Sequence, residues 1–318
     1  MTTARPDAVE RLLKLRNNLQ DAWVTFDRST LESFEAVFTR IYGENKTILE
    51  VGSGFGMTCI LFGLLGAKEA HGVELVNRAV AKANEMRDSI DPRLPVFFKQ
   101  GDAAKWLPYP GAKFDVLLLV EAISHIIVAD LRAFLAEMSR VVKPGGIIYI
   151  SDGNNERSAY RRKINREIWD RFENGPPTAS GETVHTHSVK KAYVDARREI
   201  AERTVAGLSA SAYEDIARNT FCFTSQEVEE ATRNYAANGV LPSAPYRKGI
   251  CAIDPVTNMY IEKMFDPFEL CSIFREMGFV IDIISTRRKL PMQKLWDAFP
   301  RLTMLISNGF VISARKLQ

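Results

Sequence analysis

Short apolar runs in the central and C-terminal parts of the chain alternate with segments that have helical spacing. Runs of strand length lie at 47–51, 70–74, 95–99, 114–120 and 146–151. Between the last two lies a segment, 130–141, whose apolar residues recur on one face of a helix. Apolar strands that alternate with helices are typical of a parallel sheet covered on both faces. The pattern therefore predicts an α/β core.

The alternation begins near residue 46 and stops after Asn155. Helical spacing predicts N-terminal helices within 1–45, and helical patterns without strands fill 156–265. The α/β pattern returns at Asp266, a helix cap followed by Pro267. Two further strands, near 280–285 and 310–314, bring the strand count to seven. The predicted organisation is N-terminal helices in 1–45, a core in 46–155, a helical insertion in 156–265 and completion of the core sheet in 266–318.

Composition excludes some classes of partner. The 318 residues carry a formal net charge of +3, so nothing in the overall charge favours nucleic acid or an acidic membrane. No apolar run is long enough to span a bilayer, and no signal peptide is apparent, so we expect a cytoplasmic protein. The four cysteines form no C-x-x-C pair and are expected to be free thiols.

The most informative stretch is ILEVGSGFG over 48–56. An apolar run ends in Glu50 and is followed by glycines at 52, 54 and 56, a pattern that predicts a strand ending in a tight turn. A second apolar-to-acidic step, HGVEL over 71–75, brings in Glu74. Together these features predict a nucleotide-like ligand at the carboxyl ends of parallel strands. The spacing is not the G-x-G-x-x-G of dinucleotide folds, because residue 57 is Met.

Five motifs then occur in an order that resembles class I S-adenosylmethionine-dependent methyltransferases. After EVGSGFG and VEL come QGDA at 100–103, FDVLLL at 114–119 and VKPGG at 142–146. The resemblance covers 46–152 closely and 266–316 loosely. It implies an α/β fold: a seven-stranded, doubly wound Rossmann-like methyltransferase sheet with a helical insertion or lid, whose last two strands are an antiparallel pair.

The resemblance also implies the cofactor, S-adenosylmethionine, and its product S-adenosylhomocysteine. The glycine turn would hold the methionine portion, with Glu50 near its amino group. Glu74 would accept hydrogen bonds from the ribose hydroxyls, and Asp102 would accept one from the adenine amino group. A helix-capping role for Asp102 is an alternative that is compatible with this one. The cofactor-binding residues implied are Glu50, Gly52, Ser53, Gly54, Gly56, Glu74, Leu75, Asp102, Ala103 and Glu121.

Candidate catalytic residues follow the fourth and fifth strands. Glu121 and His125 match the E-x-x-E-H pattern that binds a divalent metal in some O-methyltransferases, but Ser124 replaces the second Glu, so we expect no metal site. His125 is a candidate general base, or else an ordinary packing residue. Asp152 opens a DGNN loop that suits a hydroxyl-rich substrate, or else a plain Asx turn.

The insertion holds the last candidates, His185 and His187. Their spacing puts both imidazoles on one side of an extended segment. They could bind a metal, contact the substrate or pack within the protein. The apolar helix faces of the insertion need a partner. Burial on the core would make a lid that provides the acceptor pocket, and burial on a second copy would make a homodimer.

The expected activity is methyl transfer to a small-molecule acceptor, with O-methylation of a natural product or sugar-like metabolite favoured. No N-P-P-Y string of the kind found in amino methyltransferases follows the fourth strand. N- or C-methylation and a non-catalytic, S-adenosylmethionine-binding protein are the alternatives. A dinucleotide-dependent oxidoreductase is disfavoured by the glycine spacing.

Overall fold

The computed structural model describes residues 37–38, 40–175, 182–184, 187–189, 191–241, 251–287 and 293–318, with only the backbone for 182–184 and 187–189. Most of the segment predicted as N-terminal helices, 1–45, lies outside the described residues, and so does His185.

The chain divides into two compact units, which we call the core unit and the helical unit. The core unit contains the described residues up to Ile123 together with Asp130–Arg157 and Phe265–Gln318. The helical unit contains Ser124–Ala129 and Ser158–Met264. The short segment 124–129 belongs to the helical unit although it lies in the sequence between two core elements.

Seven strands form the sheet of the core unit. The order across the sheet is β3-β2-β1-β4-β5-β9-β8, the first five strands are parallel, and β9 runs antiparallel to both of its neighbours. This confirms the predicted α/β fold, the seven-strand count and the antiparallel final pair. The strands are β1 Thr47–Val51, β2 Glu69–Glu74, β3 Val96–Gln100, β4 Phe114–Val120, β5 Val142–Asp152, β8 Phe279–Ser285 and β9 Phe310–Lys316.

Helices cover the sheet of the core unit. They are α1 Met57–Leu64, α2 Asn77–Ile90, α3 Leu131–Val141, α8 Pro267–Glu276, α9 Gln293–Ala298 and α10 Pro300–Ile306. Two begin at an aspartate cap: Asp266 accepts from the amide of Phe268, as predicted, and the Asp130 side chain accepts from the amides of Arg132 and Ala133. All five residues of β1 are buried, as expected for a central strand with both faces covered.

The sheet topology brings the functional strand ends to one edge. In β4 and β5, Val120 pairs with Ser151, and in β5 and β9, Asp152 pairs with Phe310. Because β9 is antiparallel, its first residue lies at the edge where β5 ends, and Ser285 at the end of β8 pairs with Val311 there. Residues that follow β1, β2, β3, β4, β5 and β8, and those that precede β9, therefore meet at this edge, which we call the carboxyl edge.

Among its described residues, the helical unit has four helices and one pair of short strands. The helices are α4 Ala159–Asn174, α5 Tyr193–Thr204, α6 Ala210–Asn219 and α7 Ser225–Asn238. Glu182–Val184 (β6) pairs antiparallel with His187–Val189 (β7), so the prediction of an insertion without strands is wrong. Each of these strands has three residues, too few for an alternating pattern to show in the sequence.

A separate hydrophobic core supports the helical unit. Trp169, Phe172 and Tyr193 pack with the buried segment around Ile253 and Ile261, and Phe172 stacks on Tyr193 with ring centroids 5.7 Å apart. The Arg197 side chain is fully buried and forms an ion pair with Glu173. Within the described residues, no helix has the length and apolar character that crossing a membrane requires.

Candidate functional site

The glycine turn after β1 has the backbone that its sequence predicts. Gly52, Gly54 and Gly56 have φ values of 72°, 52° and 79°, in the left-handed region that favours glycine. At Gly56 an added Cβ would lie 2.3 Å from the Phe98 ring, whereas at Gly54 it would meet no atom within 4 Å. The turn is therefore packed on the core at Gly56 and open at Gly54, where a ligand would approach the backbone.

Glu74, at the end of β2, holds the glycine turn in place. One of its carboxylate oxygens accepts a hydrogen bond from the Gly54 amide at 3.0 Å, and the other accepts from the Val76 amide at 3.0 Å. Each carboxylate oxygen can accept a second hydrogen bond. Glu74 thus orients the turn and keeps acceptor capacity for two hydroxyl groups of a ligand.

Glu50 is a buried carboxyl group below the glycine turn. Burial raises its pKa from the ordinary 4.5 to about 7, although hydrogen bonds from Thr58 and Cys59 at the start of α1 oppose that rise. The Cys59 thiol lies 3.3 Å from one Glu50 oxygen. A cation placed beside this carboxyl group would favour its ionised form and lower the pKa again.

Asp102 and Ala103 lie just after β3. Asp102 accepts a hydrogen bond from the Ala104 amide at 3.1 Å and is 3.2 Å from the Lys105 ammonium, so its side chain shapes the following turn. Ala103 is buried. Asp102 therefore begins a turn and not a helix, so the helix-capping alternative is wrong, and the contact of Asp102 with adenine stays a prediction.

Large apolar side chains are exposed beside these strand ends. Phe55 in the glycine turn, Leu75 after β2 and Trp106 after β3 have relative exposures of 52%, 43% and 58%. Isolated apolar residues on a surface are common, but these three follow three neighbouring strands of the sheet. They suit an aromatic ligand such as a nucleobase at the carboxyl edge. The sequence analysis selected Leu75 but neither Phe55 nor Trp106.

Glu121 follows β4 in a conformation that is unusual for its residue type. Its φ is 53°, and its amide donates to the Ser151 carbonyl at 2.8 Å. Its carboxylate forms an ion pair with Arg287, with 3.0 Å between Nε and Oε1. Sequence reasoning missed Arg287, because the basic run of residues 287–289 after a strand resembles a solvated charged segment.

Asp152 forms an Asx turn at the end of β5. Its Oδ1 accepts from the Asn154 amide at 2.8 Å and from the Asn154 side chain at 3.0 Å, and all of these atoms are buried. Asn155 donates from its side chain to the carbonyls of Met304 and Ser307, both at 2.7 Å. The DGNN loop thus fastens the end of α10 to the sheet, which favours the Asx-turn alternative for Asp152.

The histidine candidates do not belong to the core unit. In the helical unit, His125 Nδ1 lies 3.1 Å from the Tyr260 carbonyl, and the Tyr260 amide donates to the His125 carbonyl at 3.0 Å. His187 pairs with Val184 across the β6–β7 hairpin. Glu121 and His125 therefore belong to different units, four residues apart in sequence.

The side chains that the structure describes contain no cluster of metal ligands. No group of three or more His, Cys, Asp or Glu residues lies in a suitable arrangement there. The described contacts engage Glu121 with Arg287 and His125 with the Tyr260 carbonyl.

Comparison with known proteins identifies the segment that contains these motifs. Residues 49–150 match the family described as "Methyltransferase domain". The chain is 30% identical over 126 residues to a ubiquinone biosynthesis O-methyltransferase of Maricaulis maris, a match covering 40% of this chain and 48% of that protein. It is 33% identical over 117 residues to norajmaline N-methyltransferase of Rauvolfia serpentina, covering 36% of this chain and 39% of that protein.

These matches span somewhat less than half of each curated relative. Among solved structures, the PH0226 protein of Pyrococcus horikoshii is similar with a TM-score of 0.50 and 13% identity, covering 92% of both chains. At this identity the structural likeness supports the fold alone.

Proposed function

We propose, on the premise that the chain belongs to the class I S-adenosylmethionine-dependent methyltransferase family, that it transfers the methyl group of S-adenosylmethionine to a hydroxyl group of a small molecule. The observation that carries the proposal is the joint geometry of the glycine turn and Glu74. Gly54 combines an open backbone with an amide bonded to the Glu74 carboxylate. This arrangement suits a ligand with a polar chain and a diol.

The residues present fit S-adenosylmethionine. Glu50 is a buried carboxyl group that would pair with the amino group of the methionine portion, and Glu74 has acceptor capacity for the two ribose hydroxyls. Ser53 Oγ is buried and has no hydrogen-bond partner among the described residues, as expected of a group that a ligand satisfies. Phe55, Leu75 and Trp106 would cover the adenine.

When bound, the cofactor supplies a methyl group already activated by the attached sulfonium. What the protein must add is placement of the acceptor oxygen in line with that methyl group, in a site without water. A base for the hydroxyl proton contributes more modestly. Glu121 and His125 are the candidate groups for this part of the reaction, and the proposal for Asp152 is weaker because its Oδ1 is engaged in the Asx turn.

We assign acceptor choice to the helical unit. Its chain leaves the core unit directly after the DGNN loop at the carboxyl edge, and it contains His125, His185 and His187. Segments attached at this edge of an α/β sheet commonly provide substrate contacts. Closure of this unit as a lid and formation of a homodimer remain proposals on the same footing.

Hydroxyl rather than amine transfer is proposed because several relatives carry the name ubiquinone biosynthesis O-methyltransferase. The N-methyltransferase among the relatives makes an amine acceptor the second candidate. Both reactions need the same placement of the acceptor atom, so the fold of the core unit does not distinguish them.

Two measurements test the proposal. Calorimetry should show binding of S-adenosylhomocysteine and none of NAD. The protein should then be incubated with methyl-labelled S-adenosylmethionine and a panel of phenols, aliphatic alcohols and amines, and labelled product should form with a hydroxyl compound. Binding of S-adenosylhomocysteine without transfer to any member of the panel would favour the non-catalytic alternative, and transfer only to amines would replace O- by N-methylation.

A further inference from the structure

Glu121 is held in a backbone conformation that its residue type seldom adopts. A φ of 53° in a residue with a Cβ persists only where the surroundings determine it. Two neighbours do so here. The Glu121 amide is bonded to the Ser151 carbonyl, and the next residue, Ala122, lies against the glycine turn, where a Cβ on Gly52 would be 2.7 Å from the Ala122 Cβ.

The third constraint is Arg287, which follows the last strand in the order across the sheet. Arg287 follows β8, the edge strand, whereas Glu121 follows β4. In the strand order β4-β5-β9-β8, two strands separate them. The ion pair of 3.0 Å therefore joins groups across the ends of β5 and β9.

Two glycines at those strand ends leave the room that the ion pair occupies. Gly153 follows β5, and a Cβ there would lie 3.3 Å from Glu121 Oε2 and 3.6 Å from Arg287 Nη1. Gly309 precedes β9, and a Cβ there would lie 2.6 Å from the Asp152 carbonyl oxygen and 3.3 Å from the Arg287 Cβ. Larger residues at either position would press on the arginine, the glutamate or the backbone between them.

A contribution to folding stability does not explain why Glu121 and Arg287 form this ion pair. The two side chains are 28% and 29% exposed, and an ion pair at such a site contributes little to folding. The pair instead fixes the direction of a carboxylate at the carboxyl edge, on the residue just before Ala122, which packs at Gly52 of the glycine turn. Orientation is the property that a reaction site requires and that folding does not.

We propose that Arg287 is a positioning residue that holds the Glu121 carboxylate toward the acceptor during methyl transfer, with Gly153 and Gly309 providing the space. The inference rests on the proposed function. It adds to that function a residue that the motifs do not contain, contributed by the segment between β8 and α9.

A structural experiment tests the positioning without any acceptor. Crystal structures with S-adenosylhomocysteine would be compared for the unaltered protein, Arg287→Met and the matched control Arg315→Met. Arg315 also pairs with a carboxylate, Asp282, with 3.0 Å between Nε and Oδ2, but it lies near the opposite end of β9. We expect the Glu121 carboxylate to move by about 2 Å or more only in Arg287→Met. An unmoved carboxylate would overturn the proposal, whatever the activity.

A kinetic experiment tests what the positioning is for, with the hydroxyl compound that the panel selects. Arg287→Met should lower kcat by about 10- to 100-fold and leave the Kd of S-adenosylhomocysteine within about threefold. Arg287→Lys should recover part of kcat, and Arg315→Met should not change it. Equal loss in Arg287→Met and Arg315→Met, or a loss confined to cofactor affinity, would overturn the proposal. If the unaltered protein methylates nothing in the panel, the proposed function fails, and the crystal structures still decide whether Arg287 places Glu121.

Discussion

At the residue scale, Glu74 has two roles under our proposal, of which the sequence indicates one. The acidic residue after an apolar run predicts contact with ribose, and the structure adds a bond to the Gly54 amide that sets the shape of the glycine turn. Its removal should therefore affect the cofactor both directly and through the backbone.

Glu74→Ala should weaken binding of S-adenosylhomocysteine, since hydrogen bonds to a charged group are lost, by on the order of 2–4 kcal/mol. Calorimetry on the variant and on the control Glu85→Ala, an exposed glutamate on α2 paired with Lys82, would measure the difference. Unchanged affinity in Glu74→Ala would contradict the assignment.

Glu50, which our proposal places in the cofactor site, is a buried carboxyl group that reduces the stability of the fold at neutral pH. Its pKa of about 7 lies above its ordinary 4.5, so between these values the folded protein holds a proton that the unfolded chain releases. Stability should therefore fall as pH rises from about 4.5 to 7, by up to about 3 kcal/mol.

Glu50→Gln removes this titration. In urea unfolding without ligand, the variant should be more stable than the unaltered protein at pH 8 and similar to it at pH 4.5, while its affinity for S-adenosylmethionine falls. An equal stability difference at the two pH values would show that the buried carboxyl group is not the cause.

Whether methyl transfer requires a metal also depends on single residues. With Ser124 in the place of the second glutamate and Glu121 engaged with Arg287, we expect methyl transfer to be insensitive to EDTA. The test is the labelled-methyl assay with and without chelator. Loss of turnover that added magnesium restores would reverse this expectation.

At the scale of elements, sequence signals with a local cause were reliable. The cap at Asp266 was predicted, because both partners of its hydrogen bond are within a few residues. The cap at Asp130 is as local, and so is the capping box of α7, in which the Thr224 side chain accepts from the Glu227 amide and the Glu227 side chain accepts from the Thr224 amide. The same holds for the glycine turn, where backbone conformation depends on the residue itself.

Thr224→Ala should destabilise the helical unit by about 1 kcal/mol, because the amide of Glu227 loses its acceptor. Thr257→Ala, an exposed threonine in the same unit, serves as the control. Denaturant unfolding followed by circular dichroism would compare them, and a change in Thr257→Ala as large as in Thr224→Ala would contradict the role of the cap.

Features that depend on residues far apart in the sequence could not be predicted from it. Under our proposal Arg287 acts on Glu121 because the strand order places the end of β8 at the same edge of the sheet as the end of β4, and no spacing in the chain encodes that. Segment 124–129 belongs to the helical unit through backbone bonds to Tyr260 and Lys263, more than a hundred residues later. The β6–β7 hairpin has three residues per strand, too few for alternation to show.

At the scale of the whole molecule, the two units have separate tasks under our proposal: the core unit binds the cofactor and the helical unit selects the acceptor. Substitution of His187 by Ala should then change turnover of the selected acceptor, with the Kd of S-adenosylhomocysteine constant within about threefold. Tyr193 is unsuitable for this test, since it is buried in the core of the helical unit. A parallel loss of cofactor affinity in His187→Ala would contradict the division of tasks.

The helical unit is composed of two separate pieces of chain. This affects how proteins with this organisation can diversify by recombination. A recombination event that exchanged only 158–264 would join a new helical unit to an old 124–129 segment, and the contact between His125 and the Tyr260 carbonyl would be inherited from two different parents. Productive chimeras with altered acceptor choice should therefore be those with two crossovers around 124–129 as well as two around 158–264. A laboratory library built with both exchanges should yield more folded members than one built with the longer exchange alone.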